Sequence, residues 1–163
     1  MATQLIPLSA DHREAVVDIF NHYVEQSFAA YPERPLPYQA FDMLLKMCEG
    51  YPSIVAKDEA GQVAGFGMLR AYNPLPAFSQ TAEISYFIKP ECTGQGIGKM
   101  MLEHLVCEGR KRGITTILAS ISALNEGSIR FHAKNGFAEC GRFRQVGKKK
   151  GQVFDVVWMQ RMV

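Results

Sequence analysis

Thr93-Gly94-Gln95-Gly96-Ile97-Gly98-Lys99 stands between a β-branched, aromatic stretch that stops at Pro90 and an amphipathic one that puts Met101, Leu102, Leu105 and Val106 on one face. The segment therefore reads as a glycine-rich turn from a strand into a helix. Such a turn presents a row of free backbone N–H groups, and its glycines let a pyrophosphate come close to the chain. The spacing is G-x-G-x-G, which differs from the dinucleotide fingerprint, and no Gly-Lys-Ser/Thr follows at P-loop spacing.

Outward from that turn, the chain alternates strands and helices. Residues 81–88, upstream, alternate as a strand. Before them, 53–57 and 62–71 form a hairpin about Asp58-Glu59-Ala60-Gly61, so three consecutive strands make a meander. Residues 4–8 open the chain as a short strand, and Ser9 or Asp11 caps a first helix whose apolar positions are Val16, Ile19, Phe20, Tyr23 and Val24. An irregular loop over 27–37, rich in aromatics and prolines, leads to a helix over 38–48. Downstream, a helix over 99–112 ends at Gly113, followed by a buried strand over 115–121 and a helix over 126–135. Two last strands, 137–146 and 152–159, flank Lys148-Lys149-Lys150, expected to be a solvated turn.

The whole, residues 1–163, is expected to be one domain, and 47% hydrophobic with 21% charged residues describes a globular chain. A net charge of +2 lacks the concentrated basic face that nucleic acid requires. Cys48, Cys92, Cys107 and Cys140 show neither a C-x-x-C pair nor zinc-ligand spacing, so no metal is expected. Cys92 and Cys140 have no evident base partner and are not read as nucleophiles. With no apolar stretch near the ~18 residues of a membrane span and no signal peptide, a cytoplasmic protein without a membrane partner is expected.

The glycine turn, Gly94 to Lys99 with Leu102 following, resembles the acyl-CoA pyrophosphate loop of GNAT acetyltransferases. Thr93 stands where the family has Arg or Gln, which removes one long side chain near the phosphates and leaves the main-chain donors. A second stretch, Asn125-Glu126-Gly127-Ser128-Ile129-Arg130-Phe131-His132-Ala133-Lys134-Asn135-Gly136-Phe137, resembles the family segment whose helix crosses the pantetheine. Thr81-Ala82-Glu83, Ser128 to His132, Asn21-His22-Tyr23 and the tail Asp155 to Arg161 resemble the branch acting on phosphinothricin, methionine sulfoximine and methionine sulfone. The resemblance implies an α+β fold: a mostly antiparallel twisted sheet of about seven strands flanked by about four helices. It also implies acetyl-CoA as co-substrate, a small-molecule amine as acceptor, direct transfer without an acyl-enzyme, and a homodimer.

By the same resemblance, Tyr86, Phe87, Ile88, Gly94, Gln95, Gly96, Ile97, Gly98, Lys99, Asn125, Ser128 and Phe131 hold the cofactor. Glu83 and His132 are the expected catalytic pair. An amine of pKa near ~10 is mostly protonated at pH 7, and holding it neutral costs about 4 kcal/mol, so a base is needed. Glu83 suits that role, while His132 occupies the place near the thioester sulfur where many members have a tyrosine; it either protonates the thiolate or shares the base role. The plainer readings are an ion-paired glutamate and a core-edge histidine. For the acceptor, Arg70 can pair with a carboxylate and Phe28, Tyr31, Tyr72 and Phe78 can wall the pocket. Acetylation of protein N-termini or polyamines, and a silent acyl-CoA-binding module, are the rival functions.

Overall fold

A computed structural model describes residues 2–163. Seven strands, β1 (Gln4–Pro7), β2 (Ser53–Lys57), β3 (Val63–Ala71), β4 (Thr81–Ile88), β5 (Thr116–Ser122), β6 (Ala138–Lys149) and β7 (Gln152–Met162), form one sheet in the order β1-β2-β3-β4-β5-β7-β6. Every neighbouring pair is antiparallel except β4 and β5, which run parallel. Four helices cover it: α1 (Arg13–Gln26), α2 (Ala40–Met47), α3 (Ile97–Lys111) and α4 (Glu126–Lys134). The expected α+β architecture is the one observed.

Strand alternation divides the core between the two faces. Leu69, Ala82, Ile84, Ile117, Ala119, Val157 and Met159 pack with Met101, Leu102, Leu105 and Val106 of α3. On the other face Val55, Phe66 and Met68 meet Val16, Val17 and Ile19 of α1 and Phe41 of α2.

Two boundaries depart from the sequence reading in ways that matter. Helix α3 begins at Ile97, not at 99, because Gly96 adopts a left-handed conformation (φ 83°) as N-cap and the chain turns helical directly after it. Strand β6 does not stop at 146. Its pairing with β7 jumps from Phe143↔Val156 to Gly147↔Phe154, and Gln145 in the bulge has φ 56°. Asp155 fixes the bulge, its two carboxylate oxygens accepting from the Gln145 amide at 2.7 Å and Arg142 Nε at 2.8 Å. The strand then resumes to Lys149, and Lys150 and Gly151, both left-handed, make the two-residue turn.

The lysine run is consequently not a solvated turn. Lys149 is 1% exposed and its ammonium is bonded to main-chain carbonyls, while the Lys150 amide donates to Glu33. Among the described residues no helix is long and apolar enough to cross a membrane.

Candidate active site

Strands β4 and β5 pair only over Thr81–Glu83 against Thr116–Leu118. Beyond Glu83 they part, because residues Ala119 to Ser122 of β5 continue their register with β7 alone. The stretch of β4 from Ile84 to Ile88 therefore has one backbone edge open to the gap, and unpaired main-chain groups there need a partner. A cavity of about 640 Å³ occupies this gap. The glycine turn and α3 close one end of it, and Asn125, Ser128, Phe131 and His132 from the α4 segment form a wall.

Of the twelve residues expected to hold the cofactor, Tyr86, Phe87, Ile88, Gly94, Gly96, Ile97, Gly98, Lys99, Asn125, Ser128 and Phe131 line this cavity. Gln95 does not, its side-chain amide donating instead to the Glu91 carbonyl at 3.2 Å. The turn fits a phosphate. The first-turn N–H groups of α3 have no helical carbonyl to bond, and the helix dipole adds positive potential there. Gly98 is needed for room: a Cβ on it would lie 3.3 Å from Ile88 Cδ1 and 3.4 Å from Phe131 Cζ, both on the cavity wall. Asn125 caps α4, its side chain accepting from the Ser128 amide at 3.3 Å.

Glu83 and Arg70 face each other across β3 and β4, and the two candidates form an ion pair of 2.7 Å. Arg70 also donates to Ser85 Oγ at 2.5 Å. The side chains are 23% and 14% exposed, so the pair is partly desolvated at the sheet surface. The two residues expected to anchor an acceptor carboxylate and to deprotonate its amine thus stand side by side, each paired with the other.

His132 is buried among Tyr86, Phe131 and Phe137, and both ring nitrogens are engaged. Its Nδ1 lies 2.7 Å from the Ser128 carbonyl, which can only accept, so Nδ1 carries the proton and Nε2 accepts from the Tyr86 hydroxyl at 2.6 Å. The histidine lines the cavity, but both its ring nitrogens are taken up by Ser128 and Tyr86. Burial pushes the Tyr86 phenol well above its ordinary range, and burial holds His132 below 6.5 against the opposing Ser128 bond. Because the folded ring refuses a proton that the unfolded ring accepts, stability is full above about pH 6.5 and falls as pH drops from there towards the lowered folded value. His132→Gln should flatten that decline in urea unfolding between pH 7.5 and 5, leaving the share of His12, which burial also lowers. Equal slopes in the two proteins would contradict the assignment.

The expected acceptor aromatics fall into two groups. Phe28 and Tyr31 pack on Phe154 with ring centres at 5.8 and 5.6 Å, and the Tyr31 side chain lies close to Ser120. Tyr72 packs edge-on against Phe78 at 5.9 Å and Trp158 at 6.3 Å. Phe154, Trp158 and Ser120 were not anticipated. Their signal was the two-residue period of β7, together with the β5–β7 register, which pairs Ser120 with Trp158 and Leu118, the partner of Glu83, with Gln160.

Comparison with known proteins bears on this geometry. Residues 16–137 match the Acetyltransferase (GNAT) family. The chain is 33% identical over 149 residues to the L-methionine sulfoximine/L-methionine sulfone acetyltransferase of Pseudomonas aeruginosa, covering 89% of this chain and 86% of that one. It is similar in structure to a GNAT superfamily phosphinothricin acetyltransferase from Sinorhizobium meliloti in complex with AcCoA. There the TM-score is 0.94 at 30% identity, over 100% of this chain and 89% of that one. The ribosomal-protein-alanine N-acetyltransferase from Brucella melitensis gives a TM-score of 0.92 at 31% identity, over 98% and 99% of the two chains.

Proposed function

The chain belongs to the Acetyltransferase (GNAT) family, and on that premise we propose how its residues divide the work of moving an acetyl group from acetyl-CoA to the primary amine of a small molecule. The acceptor is an amino acid or analogue of the methionine sulfoximine, methionine sulfone or phosphinothricin type, a reading supported by the relatives at about the same length as this chain. The observation that carries it is the gap between β4 and β5, with a glycine turn suited to phosphate at one end and the Arg70–Glu83 pair beside the other.

In this reading the amides from Gly94 to Lys99 hold the pyrophosphate, and the open edge of β4 from Ile84 to Ile88 runs beside the pantetheine. A zwitterionic acceptor enters the ion pair: its carboxylate draws on the Arg70 guanidinium, and its ammonium turns to the Glu83 oxygens so released. Glu83 takes the proton, directly or through water, and the free amine attacks the thioester carbonyl. The C–N bond forms and the C–S bond breaks without an acyl-enzyme, the nitrogen's second proton passing to the departing thiolate. Tyr86 donates its one O–H proton to His132 Nε2, so it can donate to the leaving thiolate only by giving up that bond, and His132 then bears on the thiolate by holding or releasing the Tyr86 hydroxyl. A thiol pKa near ~8.5 makes this assistance smaller than the deprotonation of the amine.

The Brucella relative raises a second reading, acetylation of a protein N-terminus. An N-terminal residue in a protein lacks an α-carboxylate, so Arg70 separates the cases. Arg70→Ala should raise KM for methionine sulfoximine roughly tenfold to a hundredfold, as expected for a charge-assisted bond, and much less for its decarboxylated counterpart. Arg70→Lys should recover only part, since an ammonium lacks the two-pronged geometry. Equal losses for the two compounds would remove Arg70 as the carboxylate anchor.

A cytoplasmic homodimer completes the proposal. Supporting it, β6 is a sheet edge of 12 residues exposed along most of its length, with Phe143 and Val146 in solvent beside Val153 of β7. Sedimentation velocity at micromolar concentration should give twice 18.2 kDa, and a single 18.2 kDa species would sink the dimer.

A further inference from the structure

Lys149 is among the largest fully buried side chains of the protein, and its ammonium is spent on an unusual set of partners. Its three protons go to the carbonyls of Val24 at 2.7 Å, Ser27 at 2.6 Å and Ala30 at 2.7 Å. Val24 lies in the last turn of α1, where helix carbonyls lack partners and a cation is favoured. Ser27 and Ala30 bracket Phe28 and Ala29, and Tyr31 follows. Ala29 lines the cofactor cavity, and Phe28 and Tyr31 pack on Phe154. The ammonium also sits 5.8 Å from the centre of the Phe28 ring.

The next residue reinforces the grip. The Lys150 amide donates to Glu33 at 2.7 Å, and the Lys150 ammonium donates to the Glu25 carbonyl. Phe154 can lie against this segment only because β6 has glycine opposite it: a Cβ on Gly147 would be 2.2 Å from Phe154 Cζ. At its far end the loop is held separately, with Asn21 exchanging two hydrogen bonds with the Leu36 backbone at 2.7 and 2.9 Å. A hairpin tip more than a hundred residues away in sequence thus fixes the near end of the loop that carries the acceptor aromatics.

We propose that Lys149 is a positioning residue for the acceptor: its ammonium holds the carbonyls of Val24, Ser27 and Ala30 so that Phe28 and Tyr31 stay packed on Phe154, with Tyr31 within electrostatic reach of Glu83. This inference rests on the acetyl-transfer reading for its kinetic consequence only. Lys149→Met keeps the length of the stem and leaves three carbonyls without their donor.

The test uses Lys149→Met in the full chain, with hydrogen exchange of the amides and steady-state kinetics with methionine sulfoximine. Exchange over residues 28–35 should quicken about tenfold or more while α3 is unchanged. KM for the amine should rise roughly tenfold, with KM for acetyl-CoA within about twofold. Unchanged exchange in the segment, or equal rises in both KM values, would overturn the proposal. If Lys149→Met does not fold, Glu33→Ala, which removes the acceptor of the Lys150 amide from an exposed position, should act in the same direction by about threefold; unaltered exchange there would equally overturn it. If neither protein nor parent acetylates any amine, the exchange result still decides the clamp and only the function falls.

Discussion

Replacing Glu83 with Gln is expected to lower kcat/KM by about 10²-fold or more, some 2.7 kcal/mol of transition-state stabilisation, with acetyl-CoA affinity nearly intact. The substitution is informative because of the ion pair. Glutamine still offers Arg70 an acceptor oxygen at the place where Glu83 Oε1 lies at 2.7 Å, so the sheet surface keeps its bond and only the ability to take a proton is removed. The loss should shrink at high pH, where more of the amine arrives unprotonated. A pH–rate profile for Glu83→Gln that matches the parent would exclude Glu83 as the group titrated. Calorimetry with acetyl-CoA provides the control, since Glu83 lies outside the cavity lining.

The second large effect is expected at the glycine turn. Gly98→Val places a branched side chain where even a Cβ meets Ile88 and Phe131 at 3.3 and 3.4 Å, so its methyl groups push into the cavity wall. Gly96→Val acts differently, by forcing a β-branched residue into φ 83°, a strain of about 1–3 kcal/mol. Both should weaken acetyl-CoA binding by roughly tenfold or more while thermal unfolding shows a folded protein. Unaltered calorimetric affinity in both variants would remove the turn as the pyrophosphate site.

What could be read in the chain follows the range of the interactions. The glycine turn, the alternation of β4 and the apolar face of α3 are local patterns, and the family resemblance rests on residues within two short segments. The Arg70–Glu83 pair was not readable as a pair, because it depends on the register of β3 against β4, which no single strand specifies. Each residue carries its own expected role, and the ion pair ties the two side chains together. Lys149 misled for a related reason: a run of three lysines is ordinarily a solvated face, and its burial depends on three carbonyls from α1 and the following loop. The end of β6 was missed because the bulge at Gln145 is held by Asp155 of the next strand.

His132 teaches the same lesson at the site. Its position on α4 is legible, but the engagement of its Nε2 depends on Tyr86, a residue of β4 far away in sequence.

The most direct test of the account is release of free thiol from acetyl-CoA by the purified protein, measured with methionine sulfoximine, methionine sulfone, phosphinothricin, other amino acids, polyamines and short peptides. The account predicts turnover with the first three, abolished or nearly so by Glu83→Gln, and little with polyamines. Turnover confined to peptides or polyamines would contradict the acceptor class, and silence across every amine with acetyl-CoA still bound would contradict catalysis itself.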